Sequence, residues 1–176
     1  MSACVLAAGC KSAQPVSETT TQMIQRPIRG CDTAVFGTLG SDWRRHAVVV
    51  GPLAWLGTEG YASEPARHFR DRGGGRYLFQ KALIVLEPGA LVTVVVPVGE
   101  RGRLALAYSG SSPADNLFEL SEGEPRWSFR ACAHAETQFN GGFVVAGAQC
   151  AVLDISVQGR AEPMQASIGF GRQCSS

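Results

Sequence analysis

The chain has 176 residues, 45% of them hydrophobic and 18% charged, with 16 basic against 15 acidic side chains and a formal net charge of +1. That is the size and make-up of one globular domain. So small a charge excess excludes the electrostatic drive toward nucleic acid or an anionic lipid surface. No run reaches the roughly 18 to 20 apolar residues of a spanning helix, so membrane contact is expected only through a lipid anchor.

The first residues are small and apolar and end in Leu6-Ala7-Ala8-Gly9-Cys10, which resembles a bacterial lipobox, cut before a cysteine that then carries lipid. Residues 1–9 therefore read as the remnant of a signal peptide and Cys10 as the anchored residue. No basic residue precedes Cys10 and the apolar run is short, so the true start is expected upstream of Met1. Beyond Cys10 the chain is rich in Ser, Thr, Gln and Pro and cannot bury enough surface to offset ordering entropy, so 10–30 reads as anchor and flexible linker. A coil of that length spans about 20 to 25 Å.

The domain is then 31–176. Its apolar segments are short, rich in Val, Leu, Ile and aromatics, and separated by Gly, Pro, Asp and Ser, which is a strand-and-turn pattern. Strands are predicted over 33–39, 46–56, 77–86, 90–96, 104–108, 127–132, 143–157 and 166–170. The fold class is all-β, an antiparallel β-sandwich of jelly-roll or immunoglobulin-like type. Ser63 could cap one short helix over 64–72, with an irregular excursion as the rival reading. Glu87-Pro88-Gly89 predicts a type II turn joining two strands as a hairpin. Asn140-Gly141-Gly142 predicts a second hairpin, because Asn and Gly tolerate the left-handed conformation.

Six cysteines with no Cys-x-x-Cys pair point to an oxidising compartment. With Cys4 and Cys10 assigned to the leader and anchor, Cys31, Cys132, Cys150 and Cys174 remain, and four cysteines allow three connectivities. A hairpin centred on Gly141 sets Cys132 opposite Cys150, and elimination leaves Cys31 with Cys174, a bridge that would clamp the two ends of the domain.

No motif names a reaction. Cys132-Ala133-His134 lacks the second ligand pair of a closed zinc site. Gly110-Ser111-Ser112-Pro113 is not a nucleophile elbow, Gly73-Gly74-Gly75 lacks the lysine of a phosphate loop, and Glu119, Glu122 and Glu124 read as a solvated loop. Trp55 and Trp127 stand in apolar strands and read as core. Trp43, flanked by Asp42, Arg44 and Arg45, has the composition of an interface anchor, so Trp43, Arg44 and Arg45 are the candidate partner-binding residues.

The stretches 46–56, 87–90 and 139–148, with Gly51-Pro52, Glu87-Pro88-Gly89-Ala90 and Asn140-Gly141-Gly142 among them, resemble a family of small secreted or lipid-anchored actinobacterial proteins of unassigned function. The resemblance implies an envelope location and carries over no catalytic residue. The expected function is a non-enzymatic extracytoplasmic module, binding or structural, with an envelope protein or glycan as partner and no cofactor or metal. The alternative is a secreted hydrolase.

Overall fold

The computed structural model describes residues 28–110 and 113–175. The signal remnant, Cys10, the linker up to residue 27 and Ser111-Ser112 lie outside the described residues. The fold is an all-β sandwich, with thirteen strands among the described residues. One layer is a five-stranded sheet in the order β1 (Ile28–Arg29), β9 (Arg126–Arg130), β6 (Leu91–Val95), β12 (Gln149–Val157), β13 (Met164–Phe170). Its pairs are antiparallel apart from β1 with β9. Along β12 buried and less buried residues alternate, as a strand with one core face requires. The outer face is polar, with Thr93 hydrogen-bonded to Ser128 at 2.8 Å and Gln165 donating to Asp154 at 3.0 Å.

The facing layer is a bent sheet with two arms. One arm holds β10 (Thr137–Phe139), β5 (Leu83–Leu86), β3 (Leu53–Leu56) and β2 (Ala47–Val50); the other holds β7 (Leu104–Ala107), β11 (Gly142–Val145), β4 (Arg76–Lys81) and β8 (Leu117–Glu119). The arms are continuous. Phe139 pairs with Ile84 on one side of the bend and Gly142 with Lys81 on the other, so one register runs through both, and the Ala82 N–H donates to the Gly141 carbonyl at 2.9 Å between them. The carbonyls freed at the corner find side-chain donors. The Tyr108 hydroxyl donates to Ala82 at 3.0 Å and the Tyr61 hydroxyl to Lys81. Burial pushes both phenols above their ordinary range, which keeps them protonated as donors.

Between the layers lie Trp55, Tyr108, Phe129, Phe139, Phe143 and Phe170, all fully buried. Phe129 meets Phe139 at 5.3 Å between ring centroids and Phe143 meets Phe170 at 5.4 Å, pairs that join the two layers and add about 0.5–1.5 kcal/mol each beyond area burial. Trp55 and Trp127 are core, as their strands suggested.

Several local expectations change. Residues 33–39 contribute only an isolated bridge, Val35 to Gln138. The stretch 46–56 is two strands joined at Gly51-Pro52, with Gly51 at φ 56° in the first loop position, where primed turns need glycine. The stretch 143–157 is divided by Ala146-Gly147-Ala148 into β11 and β12. The predicted helix is a pair of 3₁₀ turns, Tyr61–Ser63 and Ala66–Phe69. Gly147 N–H takes the Phe69 carbonyl at 2.7 Å, so a longer range contact replaces the bond that would have continued a helix. The Pro88-Gly89 turn forms, with Gly89 at φ 72° and the Ala90 N–H on the Glu87 carbonyl at 3.2 Å. It joins no hairpin, since β5 belongs to the bent sheet and β6 to the five-stranded one.

The disulfide pairing is also different. Cys31 bonds Cys132 and Cys150 bonds Cys174, with Cα separations of 4.9 and 5.1 Å. The proposed Cys132–Cys150 and Cys31–Cys174 bridges do not exist, because Asn140-Gly141-Gly142 carries the chain around the bend and forms no hairpin. The parallel pairing of Ile28 with Ser128 and Arg29 with Phe129 brings Cys31 beside Cys132. Gly171, at φ 60°, turns the chain after β13 so that Cys174 lies beside Cys150. Each bridge therefore staples one terminal segment to the sandwich, and the domain's ends are not joined to each other. The pair of disulfides fits an oxidising, extracytoplasmic setting. No helix among the described residues is long and apolar enough to cross a membrane.

The glycine-rich stretch before β4 is ordered by a carboxylate. Asp71 accepts the N–H groups of Gly73 at 2.8 Å and of Gly75 and Arg76 at 3.1 Å. The Gly73 bond above all holds its carboxyl below the ordinary value. A depressed folded-state value means stabilisation that is present above the unfolded value of about 3.9 and is lost as pH falls through the folded one. Asp71→Asn should therefore lower the melting temperature at pH 7, and the gap to the parent should narrow below about pH 4. Thermal melts across that window test it; a gap independent of pH would remove the charge from the explanation.

Candidate functional site

Trp43 opens a 3₁₀ turn, Trp43–His46, that lies against the outer face of the β10-β5-β3-β2 arm. That face is aliphatic because Val49, Ala54 and Val85 stand opposite one another on neighbouring strands. Trp43 is half-buried there, and the Arg44 guanidinium covers its ring with Cζ 4.7 Å from the centroid. Arg44 is in turn held by Glu136 at 3.0 Å and by Glu87 at 4.0 Å. Two carboxylates thus fix a cation on an indole face, a contact worth about 0.5–1 kcal/mol at an exposed site. Arg45 is exposed beside it. His46 stands between Asp42 at 3.7 Å and Glu59 at 3.2 Å. The structure brings Trp43 and Arg44 into one stacked unit, set above a shallow cleft, with Arg45 alongside.

The other arm bears a deeper feature that sequence reasoning missed. On its outer face, next to the bend, is an open cavity of about 280 Å³ whose lining includes Phe79, Lys81, Ala107, Asn116, Asn140 and Gly141. Ala107, Gly142 and Lys81 are register partners on three neighbouring strands. Asn116 is the only non-glycine residue with positive φ, 56°, among the described residues. Its N–H donates to the Pro113 carbonyl at 3.0 Å and its own carbonyl accepts the Phe79 N–H at 3.1 Å, which fix the turn that presents it. The Asn140 carbonyl accepts a 2.7 Å bond from Arg29, whose guanidinium also reaches the Tyr108 carbonyl and lies over the Phe139 ring. Burial lowers Arg29 below its ordinary value. Ile28 and Arg29, assigned by composition to the linker, are thus built into the sandwich. The one sequence signal for the cavity was Lys81 itself, the sole lysine after Lys11, set inside an apolar strand.

No family model matches this chain, and no curated protein matches it.

The other candidates resolve into structure. Glu119 and Glu122 form a capping box, the Glu119 N–H donating to the Glu122 carboxylate at 2.6 Å, and the Glu124 backbone bridges Leu106. The segment from β8 to Glu124 thereby crosses the outer face of its arm, and its Phe118 packs with Ala105, Ala107 and Val144 in a small second core. Among the described residues no group of three or more His, Cys, Asp and Glu side chains could hold a metal ion. Cys132 is spent in its disulfide, and His134 gains no second ligand from it.

Proposed function

We propose that the protein is an extracytoplasmic binding module of the cell envelope, lipid-anchored through Cys10, that engages an envelope protein or glycan through Trp43, Arg44 and Arg45. The observation that carries this is the stacked Trp43–Arg44 unit. An aromatic ring and a guanidinium held in one geometry by Glu136 and Glu87 present apolar area and charge-assisted donors with little entropy left to lose on binding. The two disulfides support the extracytoplasmic setting.

Two measurements test it. Radiolabelled lipid should enter the full-length product and be absent from Cys10→Ala. The soluble Cys10→Ala form should co-sediment with purified cell-wall sacculi, and Trp43→Ala should reduce that retention by about tenfold or more, the loss expected of an anchor residue. Arg45→Ala, an exposed position, supplies a variant whose fold is unaffected. Retention that survives both substitutions with the fold intact removes the Trp43 face. Turnover of ester, glycoside or peptide substrates by the purified protein would put the hydrolase reading in its place.

A further inference from the structure

We infer that the cavity beside the bend is a second, separate binding site, for a single acidic sugar: its carboxylate on the Lys81 ammonium, its hydroxyls on the Asn116 and Asn140 carboxamides, and its apolar ring face on Phe79. The inference goes beyond the Trp43 face, which lies on the other arm.

Charge sets the class of ligand. No carboxylate among the described residues pairs with Lys81, since the ion pairs there use Arg44, His46, His68 and Arg76. Arg29, behind the Asn140 wall, makes its hydrogen bonds to carbonyls and to Thr33, and none to a carboxylate. Asp115, the acid next to Asn116, is spent on Arg76, whose two terminal nitrogens lie at 3.0 and 3.3 Å from its oxygens. Among the described residues the lining thus holds one cation, Lys81, and no carboxylate, so an anion bound there would displace no protein partner.

Shape and donor type narrow the class further. A volume of about 280 Å³ falls at the small end of ligand cavities, enough to seat one sugar ring. Lysine is a point charge with three rotatable donors, suited to one carboxylate, and among the described residues no arginine fork lines the cavity to grip a phosphate bidentately. Two carboxamides offer both donors and acceptors, which is what ring hydroxyls need. The Phe79 ring, packed at 5.2 Å against Phe118, is held in place as an apolar wall, with Ala107 beside it.

The test is an NMR titration of the full chain following the Ala107 methyl and the Asn116 and Asn140 side-chain amides, with D-glucuronate, D-glucose and inorganic phosphate as probes. Glucuronate should shift these signals saturably, with a dissociation constant of millimolar order, as one ion pair and a few hydrogen bonds allow. Glucose should bind about tenfold or more weakly, and Lys81→Gln should bring glucuronate down to the level of glucose. Asn140→Asp, which places a carboxylate at the rim while keeping a residue type at home in turns, should weaken glucuronate by a larger factor than it weakens glucose, which loses only the carboxamide donor. The inference is overturned if glucuronate gives no saturable shift, if glucose binds as well as glucuronate, if Lys81→Gln has no effect, or if phosphate alone binds as strongly as glucuronate. None of these outcomes bears on retention by sacculi through Trp43, so the two sites fail separately.

Discussion

Replacing Cys31 and Cys132 together by serine should cost the domain up to about 4.7 kcal/mol, the loop-closure value for a cross-link spanning on the order of 100 residues. The bridge spans 101 residues of sequence, against 24 for Cys150–Cys174. The same relation assigns the shorter loop about 3.5 kcal/mol, so denaturant unfolding of the two double variants should differ by about 1 kcal/mol, with the Cys31/Cys132 pair the more damaging. The structure adds a reason for the ordering. Beside Cys31, Arg29 bonds the carbonyls of Tyr108 and Asn140, so releasing the bridge also loosens the two-residue strand that closes one edge of the five-stranded sheet. Non-reduced peptide mapping should find Cys31 linked to Cys132. A Cys132–Cys150 peptide would reinstate the hairpin, and equal costs for the two pairs would dispose of the loop-closure account.

Local chemistry was legible in the sequence, and the partners of each strand were not. Leu104, Leu106 and Tyr108 alternate with Ala105 and Ala107, and the first three do enter the main core. The alanines also prove covered, by a segment that returns to the far edge of the arm at Glu124, which no periodicity reveals. Pro88-Gly89 was readable as a type II turn from its φ requirements alone, yet those angles say nothing of whether the flanking strands pair with each other or part to different layers. The run 77–86, expected as one strand, is divided at Ala82 into β4 and β5, and that bend depends on Tyr61 and Tyr108 arriving from elsewhere to take the freed carbonyls. Phe69 has the spacing of a helical core residue and is fully buried, while its carbonyl goes to Gly147 and ends any helix there. The Trp43 group was visible because its residues are adjacent. The cavity was not, because its walls come from three stretches, around residues 80, 110 and 140, that meet only through the bend.

The bend makes the sharpest demand on a single residue, and Gly142→Ala should destabilise the domain by about 3 kcal/mol or more, at the upper end of what overpacking costs. A Cβ at Gly142 would stand 2.0 Å from the Gln80 carbonyl oxygen and 2.8 Å from the tip of the Phe79 ring. The ring is packed against Phe118, and the carbonyl belongs to the neighbouring strand and cannot move without opening the β4–β11 ladder on both sides of the Lys81 pair. Glycine is used here for close approach of two backbones and not for a turn angle, since Gly142 has an ordinary φ. Gly60→Ala is the matched control: it has no positive φ and a Cβ there would meet nothing within 4 Å, so its effect should stay within about 0.5 kcal/mol. For a domain of this size the Gly142 variant should melt about 6 to 12 °C below the parent. A shift as small as that of Gly60→Ala would show that the two strands can separate at the corner without loss, and the continuous register through Ala82 and Gly141 would then not be what holds the arms of the sheet together.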